Sequence, residues 1–299
     1  MTLVILSRGK CGLSSNVTRY LVAMAAADLH IVILDLILRH IPTLYWNEFS
    51  FLQSIPVCNI HAVLLFTATD CSVWFTVTFT IDRFVAICCH KLKPTYCTDR
   101  TAVVVLWTVS LLSCAKNVFW YFMLTGQYLL VTHPWFCAVV HSVYSSQAWA
   151  AVEFLQYILT PGLPFVIILL LNSLTVRHIL AASRARKRLR GLNNGESGQS
   201  SKDPEMESRR KSIILLLVIS GNFIVFWSLF LVYALCSRVV LLGYRPVNVN
   251  IFVEQIGFML QLLSCCTNTG VYTVTQVKFR EEVKKAMKYP FSVIVKLLQ

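Results

Sequence analysis

The sequence predicts an all-α bundle of helices that spans a membrane, and three observations carry that prediction. The chain is 56% hydrophobic and only 14% charged, with a mean hydropathy of +0.64, so it has too little polar surface to cover a water-soluble domain. Apolar stretches long enough to cross about 30 Å of hydrocarbon recur along it. Lys and Arg gather in alternate connections between those stretches, as they do on the inner face of a membrane.

The complete spans read as Leu21–Leu38, Val57–Cys88, Thr101–Leu124, Trp149–Leu180, Ser212–Ser237 and Asn250–Val274. Ahead of them, Met1–Ser7 is a short apolar stub running into Arg8 and Lys10. It is too short to cross and lacks the charged start and cleavage site of a signal peptide, so it reads as the inner end of a further helix that is mostly missing. Arg19 precedes the first complete span, Lys91, Lys93 and Arg100 follow the second, Arg184–Arg190 follows the fourth, and Lys278, Arg280, Lys284, Lys285 and Lys288 follow the last. These connections are expected inside the cell, with the C-terminus among them. The connection 125–148 has no Lys or Arg, and Arg238 and Arg245 are the only ones between the last two spans; both connections are expected outside. The net charge of +13 is thereby explained by topology and membrane lipid rather than by a nucleic-acid partner.

Within residues 184–211, basic residues give way to a Gly/Ser/Asn run with nothing to bury, which predicts a flexible inner loop. Residues 278–288 space apolar Phe279, Val283 and Met287 among Lys and Glu at helical intervals, which fits a helix lying on the inner leaflet; a solvated charged tail is the alternative. Residues 289–299 form the terminal tail. The Asn16-Val-Thr18 sequon falls on the inner side and is expected to carry no glycan. Cys58 and Cys137 both fall on the outer side, where a disulfide between them is permitted, with Cys236 a third, weaker candidate.

Asp28 lies mid-span, where a carboxylate costs a few kcal/mol without a partner or water. Asp82 and Arg83, in Thr80-Ile-Asp82-Arg83-Phe84, stand at the inner end of the second complete span, one membrane thickness from Cys58. A guanidinium there can be held by its neighbouring carboxylate or released toward a partner; a lipid-facing Arg that reaches for the interface is the plainer reading. Paired His ligands, a phosphate-binding glycine loop and a nucleophile elbow are all lacking, so no enzyme is expected. A transporter would show related halves and broken mid-membrane helices, and only Pro161-Gly-Leu-Pro164 is of that kind.

Taken in order, these motifs resemble the rhodopsin-like G-protein-coupled receptors. Thr80-Ile-Asp82-Arg83-Phe84 resembles Asp-Arg-Tyr, with Phe84 in place of Tyr. Leu21 to Asp28 resembles the second-helix motif whose Asp holds sodium, and the resemblance nominates Ser72, Ser264 and Asn268 as its companions. Trp107 matches the helix-four Trp and Pro164 the helix-five Pro. Phe223-Ile-Val-Phe-Trp227-Ser-Leu229 resembles the helix-six motif, and Asn268-Thr-Gly-Val-Tyr272 resembles Asn-Pro-x-x-Tyr, followed by an eighth helix. The resemblance implies a seven-helix receptor bundle over residues 1–288 with helix one mostly missing, at the plasma membrane, passing signals to a heterotrimeric G protein. Asp82, Arg83, Phe84, Trp227, Asn268 and Tyr272 would form the switch.

Within the family, Tyr20 to Asp28, Thr80-Ile-Asp-Arg83 and Leu171-Asn-Ser173 look most like the group of orphan G-protein-coupled receptors 139 and 142. That likeness implies aromatic amino acid or small peptide ligands and the Gq class. The ligand is expected among Leu65, Phe66, Thr69, Asp70, Glu153, Trp227, Phe230 and Phe258. Leu65 stands where amine receptors carry Asp, which argues against a biogenic amine; Asp70 or Glu153 could still hold a cation, although Asp70 bonded to a neighbouring helix is equally open. Leu229 and Thr269 stand where helices six and seven usually have Pro, which predicts straighter helices, and Asn172 stands where many members have Tyr. The missing helix-one residues make folding and export doubtful, so a fragment that does not signal, held inside the cell or bound to a complete receptor, is the competing expectation.

Overall fold

The computed structural model describes residues 2–8, 11–45, 48–126, 137–140, 146–192, 204–241 and 251–286. Met1, Lys10, the loop residues 193–203, Arg245, Met287, Lys288 and the tail 289–299 lie outside the described residues.

Helix α1 (Thr2–Ser7) is the predicted stub. Its Ile5 and Leu6 are buried, and Thr2 shares a 3.0 Å hydrogen bond with Thr269. Helix α2 (Ser15–Ile31) runs on as a π-helix over Val32–His40 and a last turn at Ile41–Leu44. Helix α3 (Ile55–Cys88) is the central one, with Pro56 in its first turn, where its missing N–H would have no partner in any case. Helix α4 (Asp99–Asn117) is capped by Thr98, whose hydroxyl accepts from the Thr101 N–H at 3.1 Å.

Helix α5 comprises Gln147–Tyr157, a π-turn at Ile158–Gly162 and Leu163–Leu192. The break has a plain cause: Pro161 supplies no backbone donor and pushes Thr160 to an extended conformation (φ −150°, ψ 108°). Helices α6 (Pro204–Leu241) and α7 (Ile251–Thr275) run as continuous α-helices through Leu229 and Thr269. Gly257 lets α7 come close to α6: a Cβ there would lie 3.2 Å from the Phe230 Cα, so a side chain would force a small displacement. A final helix α8 covers residues 277–286, with Phe279 fully buried and Val283 packed beneath the bundle as the spacing predicted.

Five of these helices are long and apolar enough to cross a membrane. The sixth span, α7, has the length, but Gln255, Gln261, Ser264, Thr267 and Asn268 dilute its hydropathy. Bundle residues facing outward are apolar: on α4, Val104, Trp107 and Leu111 form one exposed stripe, with Trp107 67% exposed. The helix-four Trp is therefore a lipid-facing residue.

Two features depart from the all-α reading of the sequence. The span expected to reach Leu124 ends as an α-helix at Asn117, continues as a 3-10 turn at Val118–Phe122, and gives way to strand β1 (Leu124–Gly126). That strand pairs antiparallel with β2 (Cys137–Val139). Strands of three residues carry no readable alternation, and the pairing is held by the Cys58–Cys137 disulfide, which ties β2 to the start of α3. Cys236 is a free thiol.

Candidate functional site

The predicted residues gather at three heights along the bundle. At the disulfide end, a cavity of about 220 Å³ opens between α2, α3, α5, α6 and α7. All eight residues nominated for the ligand line it: Leu65, Phe66, Thr69 and Asp70 of α3, Glu153 of α5, Trp227 and Phe230 of α6, and Phe258 of α7. Its walls are aromatic. Phe66 stacks on Trp120 with ring centroids 4.4 Å apart, Tyr157 meets Phe230 edge-on at 5.8 Å, and Phe230 lies 5.1 Å from Phe258. Trp227 forms the floor, buried between Phe223 (5.4 Å) and Phe230 (6.4 Å).

The polar groups of this cavity correct one expectation. Asp70 is not open to a cationic ligand: it is 2.7 Å from the Lys116 ammonium and accepts from Asn117 Nδ2 at 2.6 Å. The alternative, Asp70 bonded to a neighbouring helix, is what the fold adopts, because a carboxylate this deeply buried needs a charge and donors beside it. Thr69 likewise spends its hydroxyl on the Leu65 carbonyl at 2.8 Å. Arg39, which pattern reading passed over, pairs with Asp35 at 2.9 Å and lies 4.8 Å from the Phe258 ring centroid. The Gln261 amide nitrogen, buried on the cavity wall, has no hydrogen-bond partner among the described residues.

Halfway along the bundle, Asp28 is buried. Its carboxylate accepts from Ser72 Oγ at 2.7 Å and from Asn268 Nδ2 at 2.8 Å. Ser264, expected as a third companion, faces Asn222 at 3.2 Å instead. Since Asn268 must donate to a carboxylate, its amide oxygen is left for Asn222 Nδ2, at 3.1 Å. The residues nominated for a sodium ion thus turn donors toward Asp28, or face elsewhere, rather than converge oxygens on a cation.

At the opposite end, Asp82 and Arg83 form an ion pair, reinforced by Arg83 Nε to Asp82 at 3.0 Å, with Asp82 1% and Arg83 8% exposed. Arg83 also donates to Ser212 Oγ of α6 at 3.3 Å, and Asn16 of α2 donates to both Asp82 oxygens at 3.2 and 3.3 Å. Asn16, read from sequence as part of an unused sequon, is thus a buried element of the lock. Cys97, in the short connection to α4, donates to the Asp82 carbonyl at 3.5 Å; burial and then the Asp82 charge push its thiol up to about 11. Phe84 is half-buried. Tyr272 is fully buried edge-on to Phe279 at 6.1 Å, and Asn172 accepts from Ser220 of α6 at 3.5 Å.

A buried Asp-Arg pair at one end of the bundle and an aromatic cavity at the other, joined by α6, correspond to a family pattern. Residues 1–272 match the model of the 7 transmembrane receptor (rhodopsin family). The chain belongs to that family. Members are multi-pass membrane receptors rather than enzymes, as the motif reading expected. Among curated relatives, the FMRFamide receptor of Drosophila melanogaster is 25% identical over 216 residues, covering 66% of this chain. The chain spans 38% of that relative's length.

Proposed function

We propose that this protein carries a signal from an extracellular ligand in the aromatic cavity to a heterotrimeric G protein at the Arg83 end, with the disulfide end outside the cell and the C-terminus in the cytoplasm. The observation that carries this reading is the closed lock at Arg83, a buried cation held by Asp82 and tethered to α6 through Ser212. A ligand pressing on Phe230 and Trp227 acts on the same helix that Arg83 holds. Displacing α6 breaks the Ser212 contact and frees the guanidinium for a partner.

The cavity supports an aromatic amino acid-like molecule or the aromatic end of a short peptide. About 220 Å³ lies below the range of about 300–1,000 Å³ for most ligand sites, so the occupant is small or enters with only one end. The ring-lined walls suit another ring, and Gln261 offers an amide donor. Leu65 and the occupied Asp70 disfavour a simple amine. Likeness to an FMRFamide receptor favours the peptide reading, and the resemblance to the 139 and 142 group suggests the Gq class.

The test is nucleotide exchange on membranes carrying the full chain, with Gq and then other heterotrimers added and GTPγS binding as the readout. Arg83→Ala is expected to abolish exchange, with surface level unchanged. If no heterotrimer gives exchange that depends on Arg83, the proposal fails.

A further inference from the structure

Helix α6 places Ser220-Gly221-Asn222 in the middle of an otherwise apolar run, at a depth where a polar side chain needs a partner. Asn222 has them. Its Nδ2 lies 3.2 Å from both the carbonyl and the hydroxyl of Ser264 and 3.1 Å from Asn268 Oδ1. Its Oδ1 lies 2.8 Å from the Thr267 hydroxyl, whose single proton is shared with the Leu263 carbonyl at 2.9 Å. Asn268 passes the chain to Asp28 at 2.8 Å, and Ser72 closes it at 2.7 Å. One continuous polar network therefore links α6, α7, α2 and α3 in the middle of the bundle.

We propose that Asn222 is a positioning residue that clamps α6 to α7 and so sets how often the closed bundle opens. The proposal rests on the signalling function proposed above. Helix α6 has no proline at Leu229, which lies inside an unbroken helical run from Pro204 to Leu241, and Ser220-Gly221, next to Asn222, is the point left for it to bend about. Its polar tethers include Ser212 to Arg83 at the end, Asn222 to α7 about 15 Å further along at 1.5 Å per residue, Ser220 to Asn172 of α5 beside it, and Tyr233 to Glu254 of α7 nearer the disulfide end. When α6 leaves α7, Asn222 gives up its contacts to Ser264, Asn268 and Thr267 at membrane depth, where polar groups without partners are costly on both helices. The clamp also fixes the Asn268 amide with its nitrogen toward Asp28, which accounts for a carboxylate satisfied by protein donors alone.

Ligand-independent GTPγS binding tests this without a known agonist. Membranes carrying the full chain, with the heterotrimer that Arg83-dependent exchange selects, are compared for the wild type, Asn222→Leu, Thr267→Val and Asp82→Asn, each normalised to surface level. Interhelical hydrogen bonds in membranes are modest, so Asn222→Leu is expected to raise basal exchange about threefold to tenfold. Thr267→Val, which removes only the shared hydroxyl, gives a smaller rise and serves where Asn222→Leu does not reach the surface. A rise with unchanged surface level separates a clamp from a merely structural residue, whose loss would lower the level and leave exchange per receptor alone. If Asp82→Asn raises exchange while the other two variants leave it unchanged, the clamp is overturned. If Asp82→Asn is itself silent with every heterotrimer, the signalling function fails, and the clamp falls with it.

Discussion

At the disulfide end of the bundle, Asp35 pairs with Arg39 on its own helix and Asp70 with Lys116 on the adjacent α4. At the other end, Asp82 and Arg83 are held from two sides, by Asn16 of α2 and Ser212 of α6. The first kind of pair survives when α6 shifts, because neither partner is on that helix. At the lock, Asp82 and Arg83 are both on α3 and stay neighbours, but the Arg83 to Ser212 contact exists only while α6 lies against α3. Charges near the cavity therefore shape what binds, and charges at the lock report where α6 is. The same residue types serve recognition at one end and switching at the other because of which helices they join.

Three perturbations sharpen that contrast. The largest effect is expected from Cys137→Ser. The Cys58–Cys137 bridge closes a sequence separation of 79 residues and holds β2 to the start of α3, and loss of such a bridge costs about 2–5 kcal/mol. Surface level should collapse and any remaining protein should lose ligand-end packing, measured by antibody labelling of intact cells. A variant that reaches the surface at wild-type level would show the disulfide end to be held by other contacts.

Next in size is Asp70→Asn, which leaves the Lys116 ammonium without its counter-charge. Breaking a buried pair costs about 3 kcal/mol at most here, since Lys116 keeps some solvent access. Thermal inactivation in detergent should occur several degrees lower, and Asp70→Asn combined with Lys116→Met should recover most of the loss. Because neither residue is on α6, basal exchange per receptor should stay at the wild-type level in both. A change in exchange would break the distinction between recognition and switching drawn above.

The smallest is a reactivity effect at the lock. Burial and the Asp82 charge push the Cys97 thiol up to about 11, so at neutral pH it stays protonated, and its reactive thiolate appears only as pH rises through that value. Cys97 should alkylate about tenfold to a hundredfold more slowly than an unperturbed thiol at pH 7.5, with the rate climbing through pH 9 to 11. Mass spectrometry of labelled protein checks this. Asp82→Asn removes the second cause and should speed the reaction; no acceleration would mean that burial alone protects the thiol.

Much of this site was readable from residue type and position. Asp28 stands out because charge is expensive inside a membrane, and Asp82, Arg83, Leu65, Phe66, Phe230 and Phe258 follow from the resemblance to the receptor family. Cys58 and Cys137 share a side of the membrane by charge asymmetry alone. What was missed has a common cause. Asn16 is as buried as Asp28, and Arg39, Lys116 and Asn222 are partly buried, but no motif of the receptor family surrounds any of them. Asn222 could have been flagged by the same rule that flagged Asp28.

The sequence by itself determined the membrane setting, the order of the helices and which of them lack a proline, because hydropathy, loop charge and backbone chemistry are local properties. Only the tertiary structure decided which donors meet which acceptors. It gave Asp70 to Lys116 rather than to a ligand, turned Ser264 to Asn222 rather than to Asp28, and made Asn16 part of the Asp82 lock. Those pairings depend on how each helix is rotated about its axis, and in a membrane that rotation is set by close packing between neighbours, which no single helix encodes.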